Sequence, residues 1–173
     1  MRFCCCCLVL VIVMGPGFRF ATADDKPAHA SNAANEFVNF PGLPTCIKGW
    51  VKNGDPTRGG AVILAKSTTG CVVPWHWHTA NEQLMMVSGS GKVDMKDAKP
   101  AMLHASSFVS LPGKNPHEFS CVAACTFFIV TDGAFDIHYV DKDGKEISPE
   151  EALKSKAKTP MKKESKDMKD MKM

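Results

Sequence analysis

Between residues 45 and 141 the chain is punctuated every eight to twelve residues by clusters of Gly, Pro, Asn and Ser, and the apolar residues between them alternate or form short runs. No stretch in that region repeats its apolar residues every three to four positions, as a packed helix must. A chain cut this finely can bury a core only by stacking short antiparallel strands, as a closed barrel or as two packed sheets. The expected strands are 46–51 and 61–65, a hairpin about the turn 54–60, then 71–78, 83–87, 92–95 after a turn at 88–91, Phe108–Leu111, 118–121, 126–130 and 134–140. In the last of these Phe135, Ile137 and Tyr139 alternate with Asp136 and His138, so one face is buried and the other polar. About 100 residues in this pattern make one small β domain.

One stretch inside that pattern carries chemistry. Gly70 is followed by His76, His78, Glu82 and Gly89, so two histidines and a carboxylate fall within seven residues. Side chains two apart on a strand share a face, which lets His76 and His78 bind one metal ion while Trp75 and Trp77 point the other way. Thr79, Ala80 and Asn81 form a short polar link that returns Glu82 to the same side. Trp75 and Trp77 are then candidates for packing or for a homodimer surface. His104 and His138 read as surface residues, and His29 lies in the N-terminal arm.

The spacing Gly70, His76, His78, Glu82, Gly89 resembles the first signature of the cupin family at every defined position. The family's second signature places a histidine five residues after a proline, and Pro112 and His117 stand at that separation. The chain departs from the family at three places: Ser106 replaces a Gly six before the Pro, the Gly two after the Pro is displaced to Gly113, and Cys121 replaces an Asn. The resemblance implies an all-β fold, the cupin antiparallel β-barrel or jelly roll, with His76, His78, Glu82 and His117 as ligands of one divalent metal. Three imidazoles and a carboxylate suit Fe, Mn, Zn, Ni or Cu without choosing among them. The alternative is a metal-free barrel with these side chains bonded to one another, at a cost for burying polar groups. The resemblance to cupin dioxygenases further implies that Glu82 can act as a catalytic general base, and that Leu84, Met86 and Phe119 line a pocket for a small molecule.

The remainder of the chain sets the context. Arg2, the twelve apolar residues 3–14 and Ala21-Thr22-Ala23 have the form of a secretory signal peptide over residues 1–23, too short to span a bilayer, so no stable membrane anchor is expected after cleavage and the protein should be secreted or periplasmic. Cys46, Cys71, Cys121 and Cys125 remain, an even number that favours disulfides in an exported protein. Cys121 and Cys125 are close enough to bridge across a hairpin turn, and the expected pairs are that one and Cys46–Cys71; buried thiols or metal ligands are the alternatives. Removing Arg2 and Arg19 from 21 basic residues leaves 19 against 18 acidic ones, with no basic patch interleaved with aromatics, so nucleic acid is excluded as a partner.

Residues 24–44 are expected to form a flexible arm that docks at Phe37, Val38 and Phe40, ahead of the barrel at 45–147. Ser148, Pro149 and Glu151 form a capping box that opens a short helix within 148–173. Its continuation is rich in Lys and Met, has little to bury, and is expected to be disordered. The reading is an exported metal-binding cupin, first as a dioxygenase-like or other metal-assisted enzyme on a small oxygenated compound. A non-catalytic metal or small-ligand binder is the alternative, and copper handling through Met168, Met171 and Met173 a third.

Overall fold

The computed structural model describes residues 37–157, so the expected signal peptide, most of the arm and the Lys/Met-rich tail lie outside the described residues. Nine strands and one helix follow in order: β1 (Ile47–Gly54), β2 (Ala61–Ser67), β3 (Val72–Trp77), β4 (Glu82–Met95), β5 (Ala101–His104), β6 (Phe108–Leu111), β7 (His117–Thr131), β8 (His138–Val140), β9 (Glu146–Ile147) and α1 (Pro149–Ala157). All strand pairings are antiparallel.

Two long strands organise the rest. β4 and β7 pair along their whole length, from Glu82↔Thr131 to Met95↔His117. The second half of β7 also pairs with β2, while its first half pairs with β3. Likewise the start of β4 pairs with β6 and its end with β5. The result is two sheets that share their long strands, β1-β2-β7-β4-β6 and β9-β8-β3-β7-β4-β5, without closing into a barrel. This is the jelly-roll solution: strands that cross from one sheet to the other bring two apolar faces together.

The core fills the space between them. Ile63, Leu84 and Phe127 from the first sheet and Val93, Leu103 and Phe119 from the second belong to one buried cluster, with the rings of Phe119 and Phe127 4.8 Å apart. α1 lies against β3 and β8 and buries Ala152. Its first turn is capped as expected, Ser148 Oγ accepting the N–H of Glu151 at 3.2 Å.

Three sequence expectations are corrected. Residues 88–91 do not turn the chain, because β4 runs straight through them. The same holds for β7, which is continuous where two strands with a hairpin between Cys121 and Cys125 were expected. From Ser88↔Thr126 to Gly91↔Cys121, β7 advances five residues while β4 advances three. The extra residues of β7 bulge, and the bulge is where the strands bend. Gly89 serves that bend: its φ is +80°, and a Cβ there would run into the Ala124 carbonyl. Cys121 and Cys125 are disulfide-bonded across the bulge rather than across a turn, and Cys46 is bonded to Cys71, with Cα separations of 5.9 and 5.7 Å.

The third correction concerns 134–140, where only His138–Val140 join the sheet. Residues 132–137 lie outside it because their polar groups are engaged by the neighbouring 78–82 link. The strand β5 was not foreseen. Among the described residues no helix is long and apolar enough to cross a membrane.

Candidate metal centre

His76 lies on β3, His78 one residue beyond its end, Glu82 at the start of β4 and His117 at the start of β7. His76 is the ladder partner of both His117 and Tyr139, so β-pairing alone sets two of the imidazoles side by side. Glu82 pairs with Leu111 and Thr131 on the other sheet, and reaches the histidines across the gap between the sheets. All four residues are buried, none more than 5 % exposed. The structure thus brings together all four residues that the sequence nominates.

Their geometry is close. The ring centroid of His76 lies 4.8 Å from that of His78 and 4.3 Å from that of His117, and His78 and His117 are 5.4 Å apart. Glu82 Oε2 stands 3.6 Å from Nε2 of His78 and 3.6 Å from Nε2 of His117. One ligand nitrogen from each histidine falls within 4.8 Å of the others, so the three form a group that can hold a metal ion.

The second nitrogen of each ring decides which atom faces the site. Nδ1 of His76 is 2.6 Å from the Pro74 carbonyl, Nδ1 of His78 is hydrogen-bonded to the Asp136 carbonyl, and Nδ1 of His117 is 3.0 Å from the Asn115 carbonyl. A carbonyl oxygen can only accept, so all three Nδ1 atoms carry the proton, and in the neutral imidazole it is Nε2 that turns its lone pair to the site. Nε2 of His117 is buried without a hydrogen-bond partner. An orphaned imidazole nitrogen aimed at two others and a carboxylate fits a cation and is costly without one.

Electrostatics agrees. Burial, reinforced by the neighbouring His117 and His78, holds the His76 imidazole well below the usual histidine range, so it stays neutral and able to coordinate. Burial works against an ionised Glu82, but His78 and His117 outweigh it and hold its carboxyl below the usual range. The site therefore sets three imidazole nitrogens, that of His76 neutral, beside one anionic oxygen donor.

The cavity around them is about 30 Å³, room for an ion with one or two waters. Leu84 and Phe119 line it as expected, whereas Met86 is buried in the core outside the lining. Phe135, which the sequence placed on a buried face but not at the site, and Leu43 also line it; the Phe135 ring stands 5.0 Å from that of His78 and 6.1 Å from that of Phe40. Tyr139 donates its hydroxyl to the Gly42 carbonyl at 2.8 Å, which fixes the segment carrying Leu43 over the site. Nothing in local composition marks these residues, since their role depends on which distant strand they cross.

The other nominated side chains lie elsewhere. Trp77 is stacked on His138 at 3.9 Å between centroids, and His138 is half-buried between Asp136 and Glu146. Trp75 lines an outer groove with residues of α1, and His104 is exposed at the end of β5. His29 lies outside the described residues.

No protein-family model matches the sequence, and no curated protein matches it. Solved structures do match by shape. An RmlC-like cupin protein from Ralstonia eutropha JMP134 superposes with a TM-score of 0.52 at 20 % identity, over 70 % of this chain and 78 % of that one. DMSP lyase DddQ from Ruegeria pomeroyi DSS-3 gives 0.48 at 14 % identity, over 65 % and 56 %. KdgF from Halomonas sp. gives 0.48 at 13 %, over 57 % and 88 %. The chain spans about half the length of the DMSP lyase chains it matches, 53 % and 56 %. Two sheets sharing their long strands, with the signature histidines converging between them, and the match to the Ralstonia structure lead to one conclusion: this chain has the cupin fold.

Proposed function

We propose that the protein is an exported cupin that binds one divalent metal through His76, His78, Glu82 and His117 and uses it for dioxygenase-like or other metal-assisted chemistry on a small oxygenated organic molecule. The observation that carries this is the tautomer: each imidazole is tied to a backbone carbonyl through Nδ1, leaving three Nε2 donors aimed together beside one carboxylate. The nitrogen-rich set suits Fe, Mn, Zn, Ni or Cu. A bound ion of this kind supplies Lewis-acid polarisation of a coordinated oxygen, and iron or copper adds chemistry with dioxygen.

The protein's own groups do the rest. The histidines hold the ion, and the apolar walls, Leu84, Phe119, Phe127 and Phe135 among them, exclude water from it. Glu82, ionised and buried, would act as general base by leaving the ion and taking a proton from a bound molecule. Export is supported by the leader-like residues 1–23 and by the two disulfides.

The size of the cavity favours a second reading, a non-catalytic binder of metal or of a very small ligand, because 30 Å³ leaves little room for a substrate. Metal analysis of the exported protein, with oxygen-uptake screening against catechols, flavonols and diketones, separates the two. Iron, manganese, nickel or copper with turnover supports the enzyme. Tightly held zinc without uptake supports the binder, and no metal at all overturns the enzyme and leaves only a binder of a small ligand.

A further inference from the structure

Two segments far apart in sequence brace the link between His78 and Glu82. Asp132 Oδ1 accepts the N–H of Asn81 at 2.9 Å, and Asp132 Oδ2 accepts from Asn81 Nδ2 at 2.5 Å. Four residues on, Asp136 Oδ1 accepts the N–H of Thr79 at 2.8 Å, while the Asp136 carbonyl takes the Nδ1 proton of His78. On the opposite side, the loop leading to His117 is tied to the same link. Asn81 Oδ1 accepts the N–H of Gly113 at 2.9 Å, and the His78 carbonyl accepts that of Lys114 at 2.8 Å. Gly113 approaches so closely that a Cβ there would stand 2.6 Å from the Thr79 carbonyl.

We infer that Asn81 is a positioning residue for the metal centre, with Asp132 as its partner. It touches no ligand atom, yet its side chain joins the segment between His78 and Glu82 to both the 132–136 segment, which fixes the His78 tautomer, and the loop that delivers His117. Each of the three segments is a connection between strands, held to the others by individual hydrogen bonds rather than by a ladder. Asn81 is where their relative placement is set, and misplacement on that scale is enough to spoil a coordination site. The amide is the right group for this task, since it donates to a carboxylate with one end and accepts a backbone N–H with the other.

The inference rests on the proposed metal site, and cobalt(II) is the probe that tests both, since its visible ligand-field bands report the coordination shell directly. Asn81→Ala and Asp132→Asn are each expected to weaken Co(II) binding by about 10- to 100-fold and to alter those bands. Asp132→Asn sets two amide donors face to face at unchanged shape, so it carries the test if Asn81→Ala does not fold. The exchange Asn81→Asp/Asp132→Asn rebuilds the pair with donor and acceptor swapped, the new carboxylate still accepting from Gly113, and is expected to restore the affinity and the wild-type spectrum. Single variants that melt at a lower temperature but bind Co(II) with wild-type affinity and bands would reduce the pair to a loop staple and overturn the inference. A double variant no better than the singles also overturns it. A wild-type chain that takes up no cobalt overturns the metal reading itself, and this inference with it.

Discussion

His76 stands directly across the β3–β7 ladder from His117, with 4.3 Å between their ring centroids. The two signatures, some forty residues apart in the chain, thus meet through a backbone pairing rather than through a chance approach of loops. His117→Ala removes one of three nitrogen donors. Metal affinity is expected to fall by at least about 100-fold, beyond the range typical of a supporting partner, and calorimetric titration against wild type measures it. Affinity within a few-fold of wild type would remove His117 from the site.

Acid should destabilise the metal-free protein from the histidine range downward. The folded-state value of His76 is depressed below the ordinary 6.5, so below that value the unfolded chain binds a proton that the folded one does not, and stability drops as pH falls. Glu82, held below the ordinary 4.5, contributes stability above that value and loses it as pH falls through its own lowered one. Both act in the same direction, one after the other. Urea midpoints of chelator-treated protein should be flat at about pH 8 to 7 and decline from about pH 6.5; a midpoint unchanged down to about pH 4.5 contradicts the assignment of His76 as a buried neutral imidazole.

The Cys46–Cys71 bond ties the start of β1 to the start of β3 across 25 residues of sequence. A loop of that length gives a chain-entropy contribution of roughly 3–4 kcal/mol, against roughly 2 for the short loop closed by Cys121–Cys125. Cys46→Ser/Cys71→Ser should therefore lower the unfolding free energy more than Cys121→Ser/Cys125→Ser. Equilibrium denaturation of the two double variants gives the order, and a reversed order would mean that the bulge in β7 depends on its bridge more than the sheets depend on theirs.

Ser106 and Lys114 sit in the left-handed region, with φ of +71° and +60°. These are the positions, six before and two after Pro112, where the cupin pattern has glycine. The backbone keeps the glycine conformation although the side chains have changed. A non-glycine residue there costs about 1–2 kcal/mol, and glycine's greater freedom when unfolded offsets part of the gain. Lys114→Gly and Ser106→Gly are each expected to stabilise by up to about 1 kcal/mol, read as a rise in the denaturation midpoint. Destabilisation by either would show that the side chain makes a contact stronger than the strain.

Much of this was legible because it is local. Alternation of side chains on β3 puts His76 and His78 on one side whatever the rest of the chain does, and Ser148-Pro149-Glu150-Glu151 caps a helix by its own hydrogen bonds. What was not legible depends on distant partners. Ser88-Gly89-Ser90-Gly91 has the composition of a turn, yet it pairs with a bulging stretch of β7, and only that partner distinguishes a bend in a strand from its end. Asp132 reads as a turn residue and Asp136 as the polar side of an alternating strand; their work is to hold N–H groups some fifty residues earlier in the chain. Phe135 gave a β-like alternation because it faces the cavity from a connection outside the sheet.

Leu43 belongs to the stretch that precedes β1, which is held by the Tyr139 hydroxyl on the Gly42 carbonyl, by the Val38–Gly49 bridge and by the Cys46–Cys71 bond. One wall of the histidine cavity thus comes from residues ahead of the sheets, not from the strands that carry the ligands. Shortening the Leu43 side chain would open that wall without altering one of the four donors.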